Sequence, residues 1–116
     1  MGLNEKKRIT FEARRQFEAQ AIDSDSLVKL YEQYSDVGDT LRFVKTAKDI
    51  FPLGNCGLAT LYLKEKIGGT LVQGKYENAD HTFLLNDQVV IDITADQFGG
   101  PKVYVGPLKS PWSYKF

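Results

Sequence analysis

Residues 55–70 read Asn55-Cys56-Gly57-Leu58-Ala59-Thr60-Leu61-Tyr62-Leu63-Lys64-Glu65-Lys66-Ile67-Gly68-Gly69-Thr70, and they decide the fold. Asn55 is a good N-cap, so a helix is expected from Cys56 to about Ile67. Leu58, Ala59, Leu61, Tyr62, Leu63 and Ile67 spread apolar groups around much of it, which marks a largely buried helix. Gly68-Gly69 ends it. From Thr70 onward the pattern changes: Thr70–Gln73, His81–Leu85, Gln88–Thr94 and Lys102–Val105 read as strands separated by Gly, Asn, Asp and Pro.

Upstream of Asn55 the chain reads helical. Ile9, Ala13, Phe17 and Ala21 recur every four residues between about Asn4 and Ile22 and form one apolar stripe. Asp23-Ser24-Asp25-Ser26 is a break rich in capping residues. Leu27, Leu30, Tyr31 and Tyr34 give a second stripe, ended by Gly38. Asp39-Thr40 caps a third helix with Phe43, Val44, Ala47, Ile50 and Phe51 inward, stopped at Pro52. Helices first, a central helix, then an antiparallel meander make an α+β domain. The 116 residues suit one domain, with 1–52 as its helical part and 53–116 as the Cys-bearing helix plus sheet. The tail, with Pro107, Pro111, Trp112 and Tyr114, reads as an extended segment pinned by aromatics.

Composition narrows the function. Fifteen basic residues balance fifteen acidic ones, so nucleic acid is not the favoured partner. Lys6, Lys7, Arg8, Arg14 and Arg15 cluster at the start and read as a solvated helix face. No apolar run approaches the roughly 20 residues that span a bilayer, and the N-terminus lacks a secretory pattern, so a soluble protein without membrane partners is expected. One cysteine excludes an internal disulfide, and one histidine leaves too few ligands for structural zinc. No metal and no cofactor are expected.

Cys56 stands at the first position of its helix, where free N–H groups and the positive dipole end favour a thiolate. The same N–H groups suit a developing oxyanion, and Gly54 and Gly57 leave room for a substrate backbone. Position alone also fits a small buried apolar cysteine. His81 and Asp92 bear on the choice. A two-residue turn at Asn86-Asp87 sets Leu85 opposite Gln88, Phe83 opposite Val90 and His81 opposite Asp92. Opposed side chains share a face, with Cβ atoms roughly 4.5–5.5 Å apart. An Asp at that distance can hold the imidazole tautomer and stabilise the imidazolium formed when His takes a thiol proton.

Asn55-Cys56-Gly57-Leu58-Ala59, then His81-Thr82-Phe83-Leu84, then Val90-Ile91-Asp92-Ile93-Thr94 with Asp96-Gln97-Phe98, resembles the small papain-fold domains at the ends of bacterial polymorphic toxins. The resemblance spans roughly Gly54 to Phe98. It extends to transglutaminase-like domains, arylamine acetyltransferases and bacterial glutamine deamidases. It implies a minimal papain-like fold with Cys56 as nucleophile, His81 as general base and then acid, and Asp92 as the orienting group. Papain-like proteases carry a Gln a few residues before the Cys. Here Ile50, Phe51, Pro52 and Leu53 fill that stretch, which leaves Asn55, Gly57 or Gln97 to position the substrate or its oxyanion.

The resemblance implies an effector that acts on a protein or peptide amide by deamidation, transglutamination or limited proteolysis. It further implies an immunity protein as partner, and action in the producing or target cell or delivery within a larger secreted protein. Two alternatives stand beside it. One is a nuclease on tRNA or other RNA, with the basic N-terminal helix on phosphates. The other is a non-catalytic interaction module anchored by Phe98, Trp112 and Tyr114.

Overall fold

A computed structural model describes residues 1–33 and 39–114. Four helices precede five strands: α1 (Leu3–Glu18), α2 (Ser24–Glu32), α3 (Thr40–Ile50), α4 (Cys56–Ile67), β1 (Thr70–Tyr76), β2 (Ala79–Asn86), β3 (Val89–Asp92), β4 (Tyr104–Pro107) and β5 (Trp112–Tyr114). A single 3₁₀ turn, Ala95–Phe98, follows β3. The chain is therefore α+β, with its helices packed on one antiparallel sheet. No helix among the described residues is long and apolar enough to cross a membrane.

Local chemistry sets the helix ends. Asp23 caps α2 by accepting the Ser26 N–H over 3.2 Å, and Asp39 caps α3 by accepting the Arg42 N–H over 3.0 Å. The first helix stops at Glu18 rather than running to Ile22, because the chain turns left-handed at Gln20, φ 53°. Ala21 is accordingly exposed, outside the buried stripe expected of it. Tyr34 and Gly38 lie outside the described residues. Ile50, expected inward, is 47% exposed, whereas Val44 and Ala47 of the same helix are buried.

The stripe of α1 that faces inward holds a surprise in its polar members. Lys6, Thr10 and Arg14 are buried alongside Ala13 and Phe17. The five early basic residues are thus not one solvated face. Lys6 reaches Asp87 at 3.5 Å, and the Arg14 guanidinium grips both carboxylate oxygens of Asp96, at 2.7 and 2.8 Å, while donating to the Ile93 carbonyl at 2.8 Å. A buried cation is tolerated when its charge is compensated, and Arg14 has partners on both terminal nitrogens, while its buried Nε has none.

The sheet order is β4-β3-β2-β1-β5, all antiparallel. The first four strands form the expected meander, and the tail adds a fifth strand on the far edge. There β5 pairs with β1, Trp112 opposite Tyr76 and Tyr114 opposite Gly74. Gly74 was expected to lie beyond the end of its strand, yet β1 runs through it to Tyr76. A Cβ on Gly74 would stand 2.4 Å from the Ser113 carbonyl oxygen and 2.9 Å from the Phe83 ring, so only glycine lets β5 come this close.

The β2–β3 hairpin turns one residue later than expected. Asn86 pairs with Val89, and Asp87 and Gln88 form the two-residue loop, both with positive φ (50° and 64°). Moving a two-residue turn by one position changes the pairing by two residues. Since side chains alternate with period two, every residue keeps its face. Leu84 then faces Ile91 and Leu85 faces Val90, and β3 ends at Asp92. Asp92 lies diagonal to His81 instead of directly opposite, but on the same side of the sheet.

Two apolar clusters hold these layers. One joins the helices to the sheet through Phe17, Leu27, Val44, Leu58, Leu63, Leu84 and Ile91. The other gathers Val72, Tyr76, Phe83, Val90 and Trp112. The helix α4 sits centrally, contacting α1 and α2 as well as β1 and β2. Its Thr60 hydroxyl donates to the Thr82 carbonyl at 3.3 Å, which ties the helix to β2 beside the site.

Candidate active site

Cys56 opens α4 as the first helical residue, and its side chain is only partly covered. Asn55 takes the N-cap position without capping. Its side chain is fully buried, and its amide donates to the carbonyls of Ala47 and Leu53, tying the turn before Cys56 to α3. Capping by Asn55 is thus replaced by bracing. The amide is not free to serve an oxyanion, and the backbone N–H groups of the first helical turn are left to meet an anion there.

His81 and Asp92 are each 2% exposed. His81 Nε2 lies 2.7 Å from Asp92 Oδ2. The opposite carboxylate oxygen, Oδ1, accepts the Thr94 backbone N–H at 2.9 Å and the Thr94 hydroxyl at 3.3 Å. Trp112 Nε1–H donates to Oδ2 at 2.8 Å. A carboxylate so surrounded by donors is held in one orientation, and the proton shared with His81 belongs on Nε2. The other ring nitrogen, Nδ1, is buried without an aligned hydrogen-bond partner and is the one left for Cys56.

Electrostatics couple the pair. Burial alone would lower the His81 pKa, but the hydrogen bond to Asp92, followed by the interaction with the Cys56 thiol, pushes it up to about 9. Burial alone would raise the Cys56 pKa, and the hydrogen bond to His81, followed by Thr82, brings it below the ordinary thiol value. Each group favours the charged form of the other, which is the condition for a thiolate–imidazolium pair.

Aromatic rings pack the imidazole on its remaining sides. Phe98 meets it edge-on at 5.1 Å between centroids, and Tyr76 does so at 6.3 Å. Trp112 stacks on Tyr104 at 3.8 Å and sits edge-on to Tyr76. Trp112 belongs to the interior around His81 and is not free as a surface anchor; Phe98 is half-buried against the same cluster, and Tyr114 is exposed. Gln97, on the 3₁₀ turn, has its Nε2 buried without a partner, and it does not line the hollow at Cys56. Gly57 follows Cys56, and a Cβ built on it would meet nothing within 4 Å.

Sequence reasoning missed four contributors. Thr94 stands two residues after Asp92, the spacing at which an Asp carboxylate accepts a backbone N–H in an Asx turn, so a local signal was present. Trp112 had a weaker one: a buried indole N–H demands an acceptor. The hollow beside Cys56, about 280 Å³, is lined by Gln73, Asp80 and Thr82 together with His81, and strand pairing alone does not single out Gln73 or Thr82. No group of three or more His, Cys, Asp or Glu side chains with the geometry of a metal site occurs among the described residues. Neither a family model, nor a curated protein, nor a solved structure matches this chain.

Proposed function

We propose that the chain is a cysteine-nucleophile enzyme that acts on an amide bond, a papain-like effector of the deamidase, transglutaminase or limited-protease kind. One observation carries the reading. The only histidine is buried against the Asp92 carboxylate through Nε2 while its interaction with Cys56 lowers the thiol pKa at a helix N-terminus. A purely structural cysteine has no need of a histidine held in this way.

The chemistry follows from those positions. The Cys56 proton passes to His81 Nδ1, and the Sγ lone pair forms a bond to the substrate carbonyl carbon. The C=O π electrons move to oxygen, which lies against the first N–H groups of α4. Collapse breaks the C–N bond, and the departing nitrogen takes the proton from Nδ1, leaving a thioester on Cys56. Water or a second amine then attacks the thioester carbon and gives its proton to Nδ1. The C–S bond breaks and the thiolate is restored. Throughout, Asp92 keeps the Nε2 proton in place.

Burial of Lys6 and Arg14 takes two cations from the face a nuclease would lay on phosphates, which favours the amide reading over the RNA reading. The test is proteomic. Cells producing the chain are compared with cells producing Cys56→Ala, for glutamine-to-glutamate conversion, isopeptide cross-links or new protein termini. Such changes are expected with the natural chain alone. An identical cellular effect from Cys56→Ala, or RNA loss with unaltered proteins, would refute the proposal.

A further inference from the structure

Arg14 stands on α1, far in sequence from the nucleophile and its base, yet it touches both segments that lead to them. On one side Nη1 donates to the Ile93 carbonyl at 2.8 Å, and the two terminal nitrogens hold the Asp96 oxygens at 2.7 and 2.8 Å. On the other side the guanidinium carbon lies 4.8 Å from the centre of the ring of Phe51, the residue that ends α3 and opens the turn into α4. We propose that Arg14 is a positioning residue of the active site, fixing the turn behind Asp92 against the turn before Cys56 so that His81 and the thiol meet. The proposal rests on the amide-directed reading above in taking Cys56 as the nucleophile, and it adds α1 to the machinery.

The residues that Arg14 grips bracket the support of Asp92. Between Ile93 and Asp96 stands Thr94, whose N–H and hydroxyl both donate to Asp92 Oδ1. The same turn is closed by the Gln97 N–H on the Thr94 carbonyl and the Gly100 N–H on the Ala95 carbonyl, and its Phe98 ring meets His81 edge-on. A shift of this turn against α1 therefore moves the carboxylate and one wall of the imidazole together. Across the guanidinium, Phe51 stacks on Phe17 at 5.2 Å, and two residues further on the Leu53 carbonyl accepts the Asn55 amide just before Cys56. The side chain type fits the task. A planar fork offers N–H groups in fixed directions, so one rigid plane sets the Ile93 carbonyl and the Asp96 carboxylate at once. A buried ion pair is a poor device for stability alone, since apolar side chains of similar volume often serve as well; here it supplies a fixed geometry. Its charge is answered locally by Asp96 and, at 3.4 Å, by Glu18, so Arg14 acts on the site through position.

The test follows iodoacetamide labelling of Cys56 against pH in the purified full chain and three variants. Arg14→Lys keeps the charge and loses the fork. Asp96→Asn keeps the shape and leaves one acceptor oxygen for two donors. Leu30→Ala is the control: it truncates a buried side chain on α2, which carries neither segment, and lowers the melting temperature through the core alone. Arg14→Lys and Asp96→Asn are each expected to slow labelling about tenfold at about pH 6, as a displaced catalytic pair does, and to move the labelling midpoint upward. Leu30→Ala is expected to keep the natural profile. Circular dichroism at the working temperature confirms folding, and either variant decides the question alone. A natural profile in folded Arg14→Lys or folded Asp96→Asn, or the same displacement in Leu30→Ala, would overturn the positioning role and leave the Cys56–His81 pair standing. A thiol that titrates in the ordinary range in the natural chain, and identically in His81→Ala, would overturn the amide-directed reading beneath it.

Discussion

Trp112 Nε1–H donates to Asp92 Oδ2 over 2.8 Å, so the last strand of the chain reaches the carboxylate that holds His81. The indole is 4% exposed and is stacked on Tyr104. Trp112→Phe keeps most of the ring area and removes the donor. Leaving one side of a buried carboxylate short of a hydrogen bond is expected to cost about 1–3 kcal/mol. Urea unfolding checks this, with a lower midpoint and an unchanged slope. An unaltered midpoint would mean that water replaces the indole, and that β5 is held by pairing and stacking alone.

Asp92→Asn tests the other half of the same contact. The side chain keeps its shape, but an amide nitrogen directed at His81 Nε2 would force the opposite tautomer, and the neutral oxygen no longer stabilises an imidazolium. The His81 pKa should fall from its raised value, and the Cys56 pKa should rise with it. Iodoacetamide labelling of the single thiol, followed against pH, should move its midpoint upward, and His81→Ala should do the same. Coincident titration of all three proteins would separate the cysteine from the histidine and remove the basis for a nucleophile.

What the sequence revealed and what it hid divide along the range of the interactions. The Cys56 helix start and the shared face of His81 and Asp92 depend on local rules, a helix boundary and the parity of a two-residue hairpin. Parity survived even though the turn lies at Asp87-Gln88. The Arg14–Asp96 grip spans 82 residues and the Trp112–Asp92 bond spans 20, so neither leaves a periodic trace. Asn55 misled differently. Its position fits a cap, but burial against α3 gave its amide two backbone carbonyls as competing partners.

The Arg14 contact is expected to be costly to break. Its side chain is 7% exposed and that of Asp96 19%, on the turn that joins Thr94, which bonds Asp92, to Phe98, which packs on His81. Arg14→Leu strands a largely buried carboxylate, at an expected cost of about 3–5 kcal/mol. The double variant Arg14→Leu/Asp96→Ala removes the stranded charge and should recover part of that loss. Thermal or urea unfolding of the single and double variants distinguishes a true pair from two independent contributions.

At the hairpin, both loop residues occupy left-handed backbone with ordinary side chains, Asp87 at φ 50° and Gln88 at φ 64°. Asp-Gly is a preferred pair for such a turn. Gln88→Gly should therefore stabilise the protein by about 0.5–1 kcal/mol, the relief of left-handed strain exceeding the added entropy of the unfolded glycine. A higher melting temperature with unaltered thiol reactivity is the expected result. A lower one would indicate that the Gln88 side chain stabilises the turn by more than its backbone strain costs.

The titration of His81 carries a stability signature that Cys56 conceals. His81 has a folded pKa of about 9, above its ordinary value of 6.5, so it stabilises the fold fully below 6.5 and loses that contribution as pH rises through about 9. Cys56 has a lowered folded pKa, so its contribution runs the other way, present above the unfolded thiol value and lost as pH falls through the folded one. Where the two intervals overlap, the folded pair holds a proton on His81 that the unfolded chain has lost, and lacks one on Cys56 that the unfolded chain keeps. The two slopes oppose there, so the natural chain should change less with pH than His81 alone would require. Cys56→Ala removes one slope and leaves His81 raised by Asp92. That variant should lose stability as pH rises above 6.5, over a range that ends below 9 because Cys56 no longer helps to raise His81, and His81→Gln/Cys56→Ala should not. Melting temperatures across the range decide it: a flat Cys56→Ala profile would mean that Asp92 alone does not hold the proton on His81.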